Sequence, residues 1–144
     1  MSADEQLFEL STLFRTFLKG VSQEWQKRGY QFNQTQFKVL FSLHKHGPQN
    51  GSQLASSMCL TSAAITGVTD HLLTEGFVEK NRDESDRRIV TIRLTPKGDE
   101  MVKEFLENQM ELIKSHFGVL PPEDIEHLRR IFRVLIAEIE AQKE

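Results

Sequence analysis

Four arginines, Arg82, Arg87, Arg88 and Arg93, crowd around a short acidic loop. Val78 to Arg82 and the β-branched run Ile89 to Leu94 read as two strands, with Asp83, Glu84, Ser85, Asp86 and Arg87 between them. So polar a loop stays in water and projects. A guanidinium is planar, permanently charged and presents paired donors, which suits it to phosphate oxygens or to the floor of a narrow minor groove. The chemistry on offer is recognition of a polyanion.

The helix before the hairpin has a complementary character. Projected at roughly 100° per residue, 61–75 places Ile65, Val68 and Leu72 together and Ala63, Thr66, Gly67, Asp70 and Thr74 on the opposite side. Small and hydroxyl-bearing residues let a helix backbone sit deep in a major groove about 12 Å wide. Ser62 and Thr66 can exchange hydrogen bonds with base edges, and Ala63 can touch a thymine methyl. Thr61 can cap the helix, so that its first amides face a phosphate. A carboxylate at Asp70 would repel phosphate unless paired, so an ion pair with a nearby arginine is expected there.

These elements need positioning. Thr35–His46 reads as a helix stopped by Gly47-Pro48, Ser52–Met58 as a short helix, and Thr95-Pro96 as the cap and first residue of a long one. At the N-terminus, Leu7, Leu10, Phe14, Phe17, Val21 and Trp25 recur at helical steps, widened by Leu13 and Leu18. A similar stripe, Ile125, Leu128, Phe132, Leu135 and Ile139, follows the start signal Pro121-Pro122-Glu123-Asp124. Both stripes exceed what a small three-helix module can cover, so they are expected to pack on each other and on a second copy.

Asp86-Arg87-Arg88, followed by Val90, Leu94-Thr95 and Gly98, resembles the wing of MarR-type transcriptional regulators, and Gln53-Leu54-Ala55, Ile65-Thr66, Asp70, Leu72 and Gly76-Phe77-Val78 fall at that family's spacing. The resemblance implies a mainly α fold with a small β-hairpin wing, a winged helix-turn-helix with N- and C-terminal dimerisation helices. Residues 1–144 would form one domain, with 33–98 as the DNA-binding lobe and 1–32 and 99–144 as dimerisation helices. It implies a homodimer acting on a double-stranded operator, with Thr61, Ser62, Ala63, Thr66, Gly67, Arg82, Asp86, Arg87 and Arg88 as DNA-binding residues. Arg88 would be the minor-groove finger, held by Asp86. Many relatives carry a longer side chain where this chain has Gly67, so readout there is expected to rest more on DNA shape. A small-molecule effector of unidentified chemistry is also implied; Phe8, Phe14, Phe17, Trp25, Tyr30, Phe32 and Phe41 read either as core or as the lining of its cavity.

Bulk properties agree. A chain of 144 residues that is 38% hydrophobic fits one domain with a modest core. No run approaches the roughly 18 apolar residues of a membrane span, and the acidic start at Asp4 and Glu5 is unlike a signal peptide, so a cytoplasmic protein is expected. The net charge of -3 is uneven: residues 77–98 hold four acids and six bases, whereas residues 99–144 hold eleven acids and six bases. The wing is the positive part of an acidic chain. Cys59 is the single cysteine, which excludes an intramolecular disulfide, and it reads as a buried structural residue. The five histidines lack one-turn spacing on a common helix, Gly-rich phosphate loops are absent, and no nucleophile motif stands out. No metal, cofactor or enzymatic activity is therefore expected. The competing reading is a winged-helix protein-interaction module, which would have no need of Asp86 beside Arg88.

Overall fold

Short polar side chains start most of the helices. In the computed structural model, which describes residues 1–143, α1 (Ala3–Lys27) is capped by Ser2, whose hydroxyl accepts the Glu5 amide while the Glu5 carboxylate accepts the Ser2 amide. Asn33 with Gln36 does the same for α2 (Gln34–His46), and Asn50 with Gln53 for α3 (Gly51–Met58). Each such reciprocal cap satisfies two amides that the helix itself leaves open, and losing the cap costs about 1 kcal/mol. Thr61 caps α4 (Ser62–Thr74) through its hydroxyl. The helices α5 (Pro96–Phe117) and α6 (Pro122–Ala141) both begin at proline.

Three strands, β1 (Gln49–Asn50), β2 (Val78–Arg82) and β3 (Val90–Leu94), form an antiparallel sheet in the order β1-β3-β2. The two-residue β1 is too short to show a period and was not expected. Asn50 ends it and caps α3, which moves the helix start one residue ahead of Ser52. β3 starts one residue later than expected, because the Ile89 amide turns back to the Asp86 carbonyl at 3.0 Å.

The described residues fall into two compact units, Met1–Phe105 and the stretch from Leu106 onward. In the first, Leu40 and Leu43 of α2, Leu54 of α3, Ile65 and Leu72 of α4, and Phe77, Val78 and Ile92 from the hairpin bury together. Each such side chain contributes about 1.5–3 kcal/mol by leaving water. On α4, Val68 is only half-buried, and Thr69 takes the buried place beside Ile65 and Leu72. Its hydroxyl donates to the Ile65 carbonyl at 2.8 Å, so a polar atom enters the core without losing a partner.

The aromatic residues divide. Trp25, Tyr30 and Phe32 cluster with Phe37 and Phe105, and the Trp25 indole donates to the Phe32 carbonyl at 2.8 Å. Phe8 and Phe14 instead lie exposed on α1, with Leu7, Leu10, Leu13 and Leu18. In the second unit, α6 buries none of its side chains; Ile125, Ile131, Leu135 and Ile139 are exposed, and a groove of about 400 Å³ runs past Ile113, Phe117, Leu128 and Phe132.

Candidate nucleic-acid interface

The face of α4 opposite Ile65 and Leu72 is open to solvent. Ser62, Ala63, Thr66, Gly67, Asp70 and Thr74 are all exposed, as their helical spacing predicts. A Cβ added at Gly67 would meet nothing within 4 Å, so the bare backbone there is a surface feature and not a packing requirement. Thr66 donates its hydroxyl proton to the Ser62 carbonyl at 2.9 Å, which leaves its lone pairs and its methyl facing outward. Thr61 uses its hydroxyl to accept the Ala64 amide at 3.1 Å. The two amides before that one, on Ser62 and Ala63, have no carbonyl within the helix to bond and open toward an anion.

Asp70 is paired, but with Lys80 of β2 at 2.5 Å in place of the expected arginine. Arg93 stands directly opposite Glu79 across the β2–β3 ladder and pairs with it at 3.9 Å. The arginine cluster is therefore narrower than it looks in sequence.

The wing loop is built from hydrogen bonds to two carboxylates. Asp83 accepts the Ser85 hydroxyl at 2.6 Å, the Ser85 amide at 2.8 Å and the Asp86 amide at 3.2 Å. Those bonds, the Ser85 hydroxyl first, hold its carboxyl below the usual carboxylate range. Asp86 grips Arg88 with both oxygens, at 3.0 Å to Nε and 3.1 Å to Nη2, and accepts the Arg88 amide at 3.1 Å. The guanidinium lowers the Asp86 pKa, and the carboxylate raises that of Arg88. Yet the Arg88 side chain is 91% exposed, so it is aimed and also accessible. Arg82 turns inward and donates to the Arg87 carbonyl at 2.8 Å, bracing the tip. Arg87 is exposed, with no side-chain partner among the described residues.

Arg88 also meets the helix-turn-helix. Asn50, Ser52, Ser62 and Thr66 border one cleft of about 270 Å³ with Arg88 and Val90. Neither Asn50 nor Ser52 is among the DNA-binding residues expected from sequence, since only the fold brings β1 and the start of α3 beside the wing. The Asn50-x-x-Gln53 capping pattern was the available signal.

A clasp fixes the wing relative to α4. Gly76 takes φ +83° at the end of α4, with the Phe77 amide on the Leu72 carbonyl and the Gly76 amide on the Leu73 carbonyl. The Thr95 hydroxyl donates to the Gly76 carbonyl at 2.6 Å and accepts the Gly98 amide at 3.1 Å. A Cβ at Gly98 would stand 2.1 Å from the Phe77 carbonyl oxygen, so only glycine permits this approach. Lys97 donates to the Glu75 carbonyl at 2.8 Å and lies over the Phe77 ring.

Cys59 departs from its expected buried role. It is exposed and left-handed, φ 55° and ψ 42°, where α3 turns toward α4. The Leu60 amide bonds to the Ala55 carbonyl and the Cys59 amide to the Ser56 carbonyl, closing a turn that usually takes glycine.

Two helices joined by a tight turn, followed by a clasped hairpin, define a winged helix-turn-helix. The MarR family model matches residues 32–90, the stretch from before α2 into the start of β3. The uncharacterized HTH-type transcriptional regulator YkoM of Bacillus subtilis is 32% identical over 130 residues, covering 87% of this chain and 84% of its own. The transcriptional repressor MdtR of the same organism is 27% identical, with 87% and 79% covered. A crystal structure of a mutant MarR from E. coli complexed with operator DNA superposes with a TM-score of 0.76 at 19% identity, covering 94% of this chain and 99% of that one, a likeness of fold. The chain belongs to the MarR family and is a helix-turn-helix transcriptional regulator.

Proposed function

We propose that the protein is a cytoplasmic, ligand-responsive repressor that binds a pseudo-palindromic operator as a homodimer. Residues 33–98 serve as the DNA-binding lobe, and residues 1–32 and 99–144 supply the dimer helices of a single MarR-like domain. Each α4 enters a major groove, with Ser62, Ala63, Thr66 and Gly67 nearest the bases and Thr61 setting the helix start toward a phosphate. Thr66 would present an acceptor or its methyl, because its proton is already engaged. Each wing lies on the neighbouring minor groove: Arg88 is the finger, Asp86 its holder, Arg87 a phosphate contact, and Arg82 supports the tip from behind. Two such units related by a twofold axis read half-sites about one helical turn apart.

The observation that carries this reading is the bidentate Asp86–Arg88 grip on an almost fully exposed guanidinium, at the border of the cleft that Ser62 and Thr66 share. The exposed apolar stripes of α1 and α6 support the dimer. The named repressor among the relatives supports repression, and the neighbour bound to operator DNA supports the target.

Fluorescence anisotropy against the duplex upstream of the protein's own gene, beside a scrambled duplex, tests the reading across a salt series. Operator preference that persists while both affinities fall with salt is expected. Equal binding to both duplexes at every salt concentration would favour a winged-helix module whose partner is a protein.

A further inference from the structure

Thr66, Asp70 and Thr74 follow one another at one-turn steps along α4, and all three are exposed. Thr66 gives its hydroxyl proton to the Ser62 carbonyl at 2.9 Å, and Thr74 gives its own to the Asp70 carbonyl at 3.0 Å, so each hydroxyl oxygen can only accept. Asp70 is the single carboxylate within Ser62–Thr74. Lys80 takes its Oδ1, and Oδ2 has no partner among the described residues. The ridge therefore offers acceptors and no donor. The ion pair on it is lopsided, for Lys80, held on β2 opposite Ile92, is 18% exposed and Asp70 is 58% exposed. The carboxylate stands in front of the cation. Open space surrounds Gly67, three residues before it, so a base edge can approach from that side.

We propose that Asp70 is a specificity-determining residue that selects cytosine at one position in each half-site, accepting the cytosine amine at Oδ2 while Lys80 holds Oδ1. The inference rests on the operator-binding reading and adds a base contact to it. In the major groove guanine and thymine present acceptors without an amine, which would meet the acceptors of the ridge unfavourably. Adenine has an amine, but its N7 lone pair lies alongside and repels a carboxylate. Cytosine presents the amine alone, and an acidic side chain is its natural partner.

Lys80 makes the contact workable in two ways. Its charge offsets that of the carboxylate, so nearby phosphates are repelled less. Its bond also fixes the Asp70 side chain beforehand, so less rotamer freedom is lost when a base arrives. A pair built only to tie β2 to α4 would serve as well with the ammonium outermost, and beside a polyanion it would serve better.

Selection of bound sequences from a randomised duplex library tests this with the full chain, its Asp70→Asn variant and its Asp70→Ala variant. The wild type should enrich a twofold-symmetric motif with a fixed cytosine at one position per half-site. Asp70→Asn, with its carbonyl on Lys80, turns an amine outward, so cytosine should become disfavoured there while the rest of the motif is kept. Asp70→Ala should lose about ten-fold of the preference at that position. It should also bind a scrambled duplex no more weakly than the wild type, because a carboxylate near phosphates has been removed. A wild-type motif without such a cytosine, or a cytosine retained by both variants, would overturn the proposal. So would uniform weakening on every duplex with an unchanged motif, the mark of a purely structural ion pair. A wild-type selection that enriches no motif at all would count against the operator reading and remove this inference with it.

Discussion

The wing loop and α1 are both exposed, and for opposite reasons. Asp83, Asp86 and Arg88 lie in water yet satisfy one another, so the loop holds its shape within a single chain. Leu7, Leu10 and Phe14 also lie in water, 64%, 62% and 46% exposed, and hydrocarbon there has no such remedy. Exposed polar order can be complete in one copy, whereas an exposed apolar stripe calls for covering. The wing is thus a finished tool waiting for a polyanion, and the terminal helices are the half of the molecule that needs a second chain.

Charging the stripe should break that contrast most severely. Leu10→Glu with Phe14→Glu is expected to halve the mass measured by light scattering and to weaken operator binding about 100-fold, because two linked half-sites become two independent ones. An unchanged mass would show that the stripe is covered within one chain. Gly98→Ala attacks the clasp. The Phe77 carbonyl must move, and a loss of about 2–3 kcal/mol is expected in chemical denaturation, as for other overpacked sites. A loss within a few tenths of wild type would show that the clasp gives way freely.

Arg88→Ala touches the finger without disturbing the fold. Operator affinity should fall by about 1–3 kcal/mol while stability changes only by the small amount an exposed ion pair supplies, and full affinity in this variant would remove Arg88 from its assigned role. The smallest effect concerns pH. Asp83 and Asp86 have lowered pKa values in the folded wing, chiefly from the Ser85 hydroxyl and the Arg88 guanidinium. Their contribution is fully present above the ordinary carboxylate pKa and is lost as pH falls through the lowered ones. In an NMR titration the Ser85 amide should therefore shift with a midpoint below that of the same loop as a free peptide. Equal midpoints would mean that the Asp83 bonds do not persist in solution.

Much of this was legible in the residues. The cap at Thr61, the stop at Gly47 and the Asp86-Arg87-Arg88 wing are local features with local causes, and they appear within a residue or two of their expected places. What stayed hidden depends on register and crossing. The Lys80 partner of Asp70 arises because β2 returns beside α4, and the pairing of Arg93 with Glu79 depends on which residues oppose across the ladder. The Gly98 requirement follows from a carbonyl that is twenty-one positions away in sequence and 2.1 Å from an added Cβ. Cys59 misled because cysteine usually buries; here the turn geometry governs, although a left-handed non-glycine residue costs about 1–2 kcal/mol. Periodicity found the face of α4 but overrated Val68, since Thr69 can enter the core by bonding to its own helix.

Hydroxyl-radical footprinting on the operator tests the central claim most directly, because it reads groove and symmetry together. Two protected half-sites about one helical turn apart are expected, each flanked by a protected minor groove that becomes accessible again with Arg88→Ala. A single unsymmetrical footprint, or minor grooves that remain protected in the variant, would contradict the assignment of α4 and the wing as a paired reader of DNA.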